Sequence, residues 1–292
     1  MLKILLLCSG GLVLTIAAIM TYGKARWGAG TTQLLNRLDA SQLKVAPQFF
    51  DAKELESLPA PVKRYFQTVL KDGQPIITAA TVQHSGTFNM GETKDNWRPF
   101  TSTQRVITRR PGFDWDARVM MFPGVAAHIH DAYIAGSGLL KVAIFGLIPV
   151  ANLPATSDLS RGEFMRFCAE AAWYPTVLLP SQGAVWQAVD AQSAIATFTD
   201  VGITVTLLFK FSDDGLIDTV RAESRGRLVG VTMTYAPWQG HFWNYAARGD
   251  SLVPLESEVA WMLPDGAKTY YRSLMTHAKY DFAAPGKERP AP

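Results

Sequence analysis

From Ile76 onward the hydrophobic pattern of the chain repeats every two residues. Val82, His84, Gly86, Phe88 and Met90 alternate with polar or small partners, and Gln104, Val106 and Thr108 with Thr103, Arg105, Ile107 and Arg109. Phe113, Trp115, Ala117, Val119 and Met121 fall on one parity, Asp114, Asp116 and Arg118 on the other. Ile129, Asp131 and Tyr133 alternate with His128, His130, Ala132 and Ile134, and Ile203, Val205, Leu207, Phe209 and Phe211 with Thr204, Thr206 and Lys210. Successive strand side chains point to opposite faces, so each run predicts a half-buried strand. Turn signals at Pro111, Pro123-Gly124 and Asp213-Asp214-Gly215 separate them, the signature of an antiparallel meander.

One stretch, Leu159 to Pro180, breaks this rhythm. Phe164, Phe167, Cys168, Ala171 and Ala172 recur at helical spacing and predict one apolar face. Ser160 and Glu163 are spaced as a capping box at the helix start. Glu163, Arg166 and Glu170 line the opposite side and are expected in water, while Pro175 ends the helix. A second helix is expected from Val62 to Leu70, after a start signal at Asp51, with Val62, Tyr65, Phe66 and Val69 on one face. Leu139–Val150 is apolar, interrupted only by Lys141, Gly146 and Pro149, and too short to span a bilayer. It is expected to lie buried under the central helix, or else to act as a mobile apolar lid or a membrane-touching loop. The fold class predicted is α+β: a strongly curved antiparallel sheet, a half-barrel, with covering helices and one apolar helix in front.

That leading helix comes from Ile4–Met20, which carries no charge and is flanked by Lys3, Lys24 and Arg26. The run is at the short end for a spanning helix. No small-residue cleavage triplet follows it, so an uncleaved anchor is expected rather than a removed signal. Basic residues are nearly balanced across the run, and the body is expected on the outer side of a bacterial inner membrane. The chain then divides into an anchor (residues 1–26), a membrane-proximal linker and helix (27–58) in which Leu34, Leu35 and Leu38 share a face, one β-rich body (59–282) and a flexible tail (283–292).

The length of 292 residues, 48% hydrophobic, suffices for a large core. A net charge of +3 with no concentrated basic patch argues against a nucleic-acid partner. The two cysteines, Cys8 and Cys168, form no metal motif. His128 and His130 share a strand face, as metal-binding pairs do, but no third ligand is singled out, so no metal is expected. There is no nucleophile elbow, P-loop or dinucleotide fingerprint, and no cofactor is implied. Asp116, Arg118, Glu163 and Arg166 are the candidate residues for an envelope enzyme, which requires that they converge in one cleft. A third reading, an assembly partner, requires exposed aromatic residues around Trp238 and Trp243.

Several stretches, LPAPVKRYF from Leu58, GFDWDARV from Gly112, the DAY of Asp131–Tyr133, GLIPVA, RGEFMRFCAEAAWYPTVLLP, WQGHFWNY and EVAWMLPDG, together resemble a bacterial family known only as a domain of unknown function. They run in order from about Pro59 to Phe282, and the family implies no catalytic residues. The alternation is also similar to the LolA/LppX type of lipoprotein carrier, a curved sheet around an apolar cavity plugged by helices. That likeness implies a bound lipid or acyl chain, with Phe88, Trp115, Val119, Glu163, Arg166, Trp173, Leu207 and Phe209 expected to line the site.

Overall fold

The computed structural model describes residues 2–153, 155–230 and 232–283, and within the first helix the side chains of residues 11, 14, 15 and 17–41. Helix α1 spans Leu2–Ser41 and α2 spans Ala60–Val69. Six strands follow: β1 (Ile77–Asn89), β2 (Trp97–Ile107), β3 (Gly112–Phe122), β4 (Val125–Ile134), β5 (Ser137–Ile144) and β6 (Ile148–Leu153). After α3 (Ser157–Ala169) and three short 3-10 turns come β7 (Val185–Ala188), β8 (Ser193–Asp200), β9 (Ile203–Phe211), β10 (Ile217–Val229), β11 (Thr232–Arg248), β12 (Ser251–Leu263) and β13 (Gly266–Phe282).

All 13 strands form one antiparallel sheet in the order β6-β5-β4-β3-β2-β1-β13-β12-β11-β10-β9-β8-β7. Two meanders are therefore joined in the middle by the pairing of β1 with β13, and β6 and β7 are left as the two edges. Register shifts in the ladders of β1, β3, β5, β10 and β12 mark bulges, which sharpen twist and bend the sheet. The result is a half-barrel that does not close.

The chain between β6 and β7 leads from one edge to the other, and it takes the route through the hollow. Helix α3 packs on β3, β4 and β5 of one limb and on β9 and β10 of the other. Phe164 and Phe167 are fully buried there with Phe113 and Tyr133 from the first limb and Val205, Leu207 and Phe209 from the second. The 3-10 turns behind α3 are stitched to the sheet by polar contacts. Tyr280 donates to the Trp173 carbonyl at 2.7 Å, the Ile77 amide to Thr176 Oγ1 at 3.1 Å and Trp186 Nε1 to the Leu178 carbonyl at 2.9 Å.

Helix α1 lies on the outer, convex face. Leu34 and Leu38 pack with Ala79, Ile107, Ala132 and Ile134 in a small second core. Higher up, Trp27 Nε1 and Thr31 Oγ1 donate to the two oxygens of Asp116 at 3.0 and 2.8 Å. Near the opposite edge of the sheet Gly23 crosses the β5–β6 turn so closely that a β-carbon there would sit 2.2 Å from the Phe145 carbonyl oxygen. Ile4–Met20 falls mostly on side chains outside those described; among the described residues no helix is long and apolar enough to cross a membrane.

The strand expectations hold, and three local ones are corrected. Leu139–Val150 is not a lid: it is most of β5, half-buried against α3, and the start of β6 at the edge of the sheet. The α3 cap is Thr156, whose hydroxyl accepts from the Leu159 amide at 3.1 Å. Ser160 lies inside the helix and accepts from the Gly138 amide at 2.9 Å, so the Ser160/Glu163 capping box does not form. The face carrying Glu163 and Arg166 is buried, because the sheet wraps the helix on both sides.

Truncating Phe167 to Ala leaves a void between two limbs that cannot collapse onto it, and should cost about 3–5 kcal/mol of unfolding free energy. Thr156→Ala should cost about 1 kcal/mol and Ser160→Ala should not act as a cap loss. Chemical denaturation of the full chain measures all three.

Candidate functional site

Five ionisable side chains from four elements meet inside the half-barrel. Arg166, on α3, donates from Nη1 to Asp131 of β4 at 2.8 Å and from Nε to Glu170 at 2.7 Å. Its guanidinium lies 5.0 Å from the ring centres of both Phe113 and Trp115. Glu163, one turn earlier, accepts from Arg225 Nη2 of β10 at 3.2 Å, and Arg225 stacks on Trp238 at 4.5 Å. Gln104 Nε2 closes the group, donating to the second oxygen of Glu170 at 2.7 Å.

Burial and the neighbouring Asp131 raise the Glu163 carboxyl to about 8, so it keeps its proton at neutral pH. That proton bridges to Asp131, whose Oδ1, like Glu163 Oε2, has no other hydrogen-bond partner. Two guanidiniums then balance two carboxylates, and the cluster is neutral without solvent ions. Beside it, His84 tilts against Trp173 with ring centres 4.4 Å apart. Burial and, next, Arg166 press its pKa down to about 3, so it is neutral. Neither His84 nitrogen has a protein partner, nor do Ser102 Oγ, Trp115 Nε1 and Trp173 Nε1. Ser102 sits directly across the ladder from His84, and Trp115 directly across from Gln104.

A crevice of about 460 Å³ opens at another place on α3, between the β2–β3 and β8–β9 turns. Phe164, Phe167, Cys168, Val177 and Phe198 line it, with Arg109, Arg110 and Asp200 among the polar residues around them. The two limbs meet alongside, where Tyr133 donates to Asp200 at 2.8 Å. Burial pushes the Cys168 thiol well above its usual range, which favours the neutral thiol over the thiolate.

The eight residues expected to line a ligand cavity all belong to the concave side. Trp115, Val119, Trp173, Leu207 and Phe209 are buried core, Phe88 is half-buried against it, and Glu163 and Arg166 are in the polar cluster. The helix fills the space they enclose. The four residues of the enzyme reading do not converge: Glu163 and Arg166 face the hollow, whereas Asp116 and Arg118 lie on the α1 side of β3, with Asp116 bonded to Trp27 and Thr31. Strand parity separates them by the thickness of the sheet. His128 and His130 do not form a metal pair either: His130 Nδ1 pairs with Asp114 at 3.0 Å and Nε2 lies 3.2 Å from Thr31 Oγ1. Among the described residues no group of three candidate ligands could hold a metal. Trp238 is buried beneath Arg225, which removes it from the proposed aromatic patch.

A family model, described as a family of unknown function, DUF6920, matches residues 56–280. The chain belongs to this family. No curated protein matches it. Among solved structures, this DUF6920 chain is similar to a DUF1329 family protein from Desulfovibrio piger at 11% identity and a TM-score of 0.37, covering 80% of this chain and 94% of that one. It is also similar to a LolA superfamily protein from Nitrosomonas europaea at 10% identity and a TM-score of 0.33, covering 79% and 93%.

Sequence reasoning missed Arg225, Gln104 and Asp131 as partners. Asp131 had a signal, a carboxylate on the apolar parity of its strand between Ile129 and Tyr133. Arg225 had none, because the bulge after Ala222 changes the parity that would have placed it.

Between 4.5 and about 8 the native Glu163 holds a proton that the unfolded chain has released. Folding takes up a proton across that range, so this group makes stability fall as pH rises through it. Glu163→Gln, whose amide can still donate to Asp131 and accept from Arg225, should flatten that slope in urea unfolding curves recorded from pH 5 to 8. An unchanged slope would mean that Glu163 is ionised in the native state.

Proposed function

We propose that this DUF6920 protein is a membrane-anchored component of the cell envelope that binds an amphiphile, a lipid or free acyl chain, with its body outside the cytoplasm. The observation that carries the reading is the crevice over α3. Phe164, Phe167, Val177 and Phe198 form its closely packed apolar floor, which an acyl chain covers by spreading the two turns, and Arg109 and Arg110 stand close by for an anionic head. A volume of about 460 Å³ is within the usual span of small-ligand sites. In this reading α3 is one wall of the site rather than a plug over it. The hollow proper is occupied by the helix, so the ligand lies between the helix and the two turns.

The test uses the full chain extracted from its own membrane. Solvent extraction and mass spectrometry should find a co-purifying amphiphile. In titrations with fatty acids of increasing length, affinity should tighten about fourfold per added methylene until the crevice is full. Arg109→Glu with Arg110→Glu should weaken binding, and Arg109→Gln, whose amide can still donate to the Gln182 carbonyl that Arg109 Nη1 bonds at 3.0 Å, separates lost head-group charge from lost packing. A protein that yields no amphiphile and binds no acyl probe saturably would end the proposal.

A further inference from the structure

The course of α1 defines one edge of the sheet. Leu38 packs at the end of β2 and start of β3, Trp27 and Thr31 over their middle, and Gly23 at the β5–β6 turn. The helix thus climbs the convex face and leaves over that turn. Alternate turns of a meander fall on the same edge, so the β3–β4 turn lies there too. This edge exposes large apolar side chains: Phe122 is 61% exposed, Ile148 60% and Val150 63%. Beyond it, on the departing helix, Ile19, Met20 and Tyr22 are exposed as well.

Where helix and edge meet there is a pocket of about 300 Å³ lined by Met20, Lys24, Arg118, Gly124, His128 and Phe145. Lys24 and Arg118 form no ion pair among the described residues. The carboxylate nearest along the strand, Asp116, is already engaged by Trp27 and Thr31. Two unpaired cations above apolar tips match the order of layers in a membrane surface, phosphate outside and hydrocarbon beneath.

We infer that this edge of the body rests on the bilayer, with Phe122, Ile148 and Val150 at the headgroup–acyl boundary and the phosphate of an anionic phospholipid in the pocket between Lys24 and Arg118. The inference rests on the anchor reading but not on the crevice. Apolar side chains supply burial, and each basic residue near an anionic surface adds roughly a fivefold preference for it.

The full chain is reconstituted in nanodiscs of phosphatidylcholine containing phosphatidylglycerol. Two readouts are taken: the phosphatidylglycerol share among lipids retained after detergent extraction, by native mass spectrometry, and the extra fluorescence of Phe122→Trp over wild type, quenched by brominated phosphatidylcholine. Retained lipid should be enriched in phosphatidylglycerol, falling about fivefold for each of Lys24→Ala and Arg118→Ala, both at exposed positions. The added tryptophan should be quenched. Retention in the discs without quenching, or enrichment that survives both substitutions, overturns the inference while leaving the anchor intact. Enrichment lost on Arg109→Glu and Arg110→Glu instead would place the lipid in the crevice and overturn it as well. Failure to stay in the discs at all overturns anchor and docking together.

Discussion

A sheet whose outermost strands are neighbours in sequence, β6 and β7, sets one constraint on everything else: the chain joining them must cross the space the sheet encloses. A loop there would carry backbone groups away from water with nothing to bond to, so the crossing is made as a helix and 3-10 turns. Once α3 occupies the hollow, both of its faces are interior. The side that carries Phe164 and Phe167 finds apolar company, and the side that carries Glu163 and Arg166 must find partners or be destabilising.

The partners come from both limbs, Asp131 from β4 and Arg225 from β10. Buried ion pairs seldom add stability over an apolar replacement, because desolvation offsets the attraction. What this one contributes is position: Arg166 tied to Asp131 on one limb and Glu163 tied to Arg225 on the other admit one rotation of α3 and one depth in the hollow. The retained proton on Glu163 removes the surplus negative charge that three carboxyls would otherwise leave beside two arginines.

Much of the architecture could be read from residue order. Period-two runs located β1 to β4 and β9, and the spacing of Phe164, Phe167 and Cys168 located the buried stripe of α3. The rest failed for identifiable reasons. Leu139–Val150 has no alternation, because most of it is apolar, and periodicity cannot distinguish such a strand from a packed segment. A charged stripe opposite an apolar one reads as solvent-facing, since sequence does not say that a sheet closes over both. Bulges erase parity locally, which hid Arg225. The crevice depends on two turns far apart in the chain, 108–111 and 201–202, and no local pattern brings those together.

The pairing of β1 with β13 sets Ile77 opposite Phe282, so the seam at the centre of the finished sheet joins two of the most distant strands in the sequence. During synthesis β1 is therefore an unpaired border for as long as it takes to make everything from β2 to β13. Contacts of such long range form slowly, and an open strand border invites pairing with other chains. Of the thirteen strands, the one latest in the sequence is the one that completes the middle.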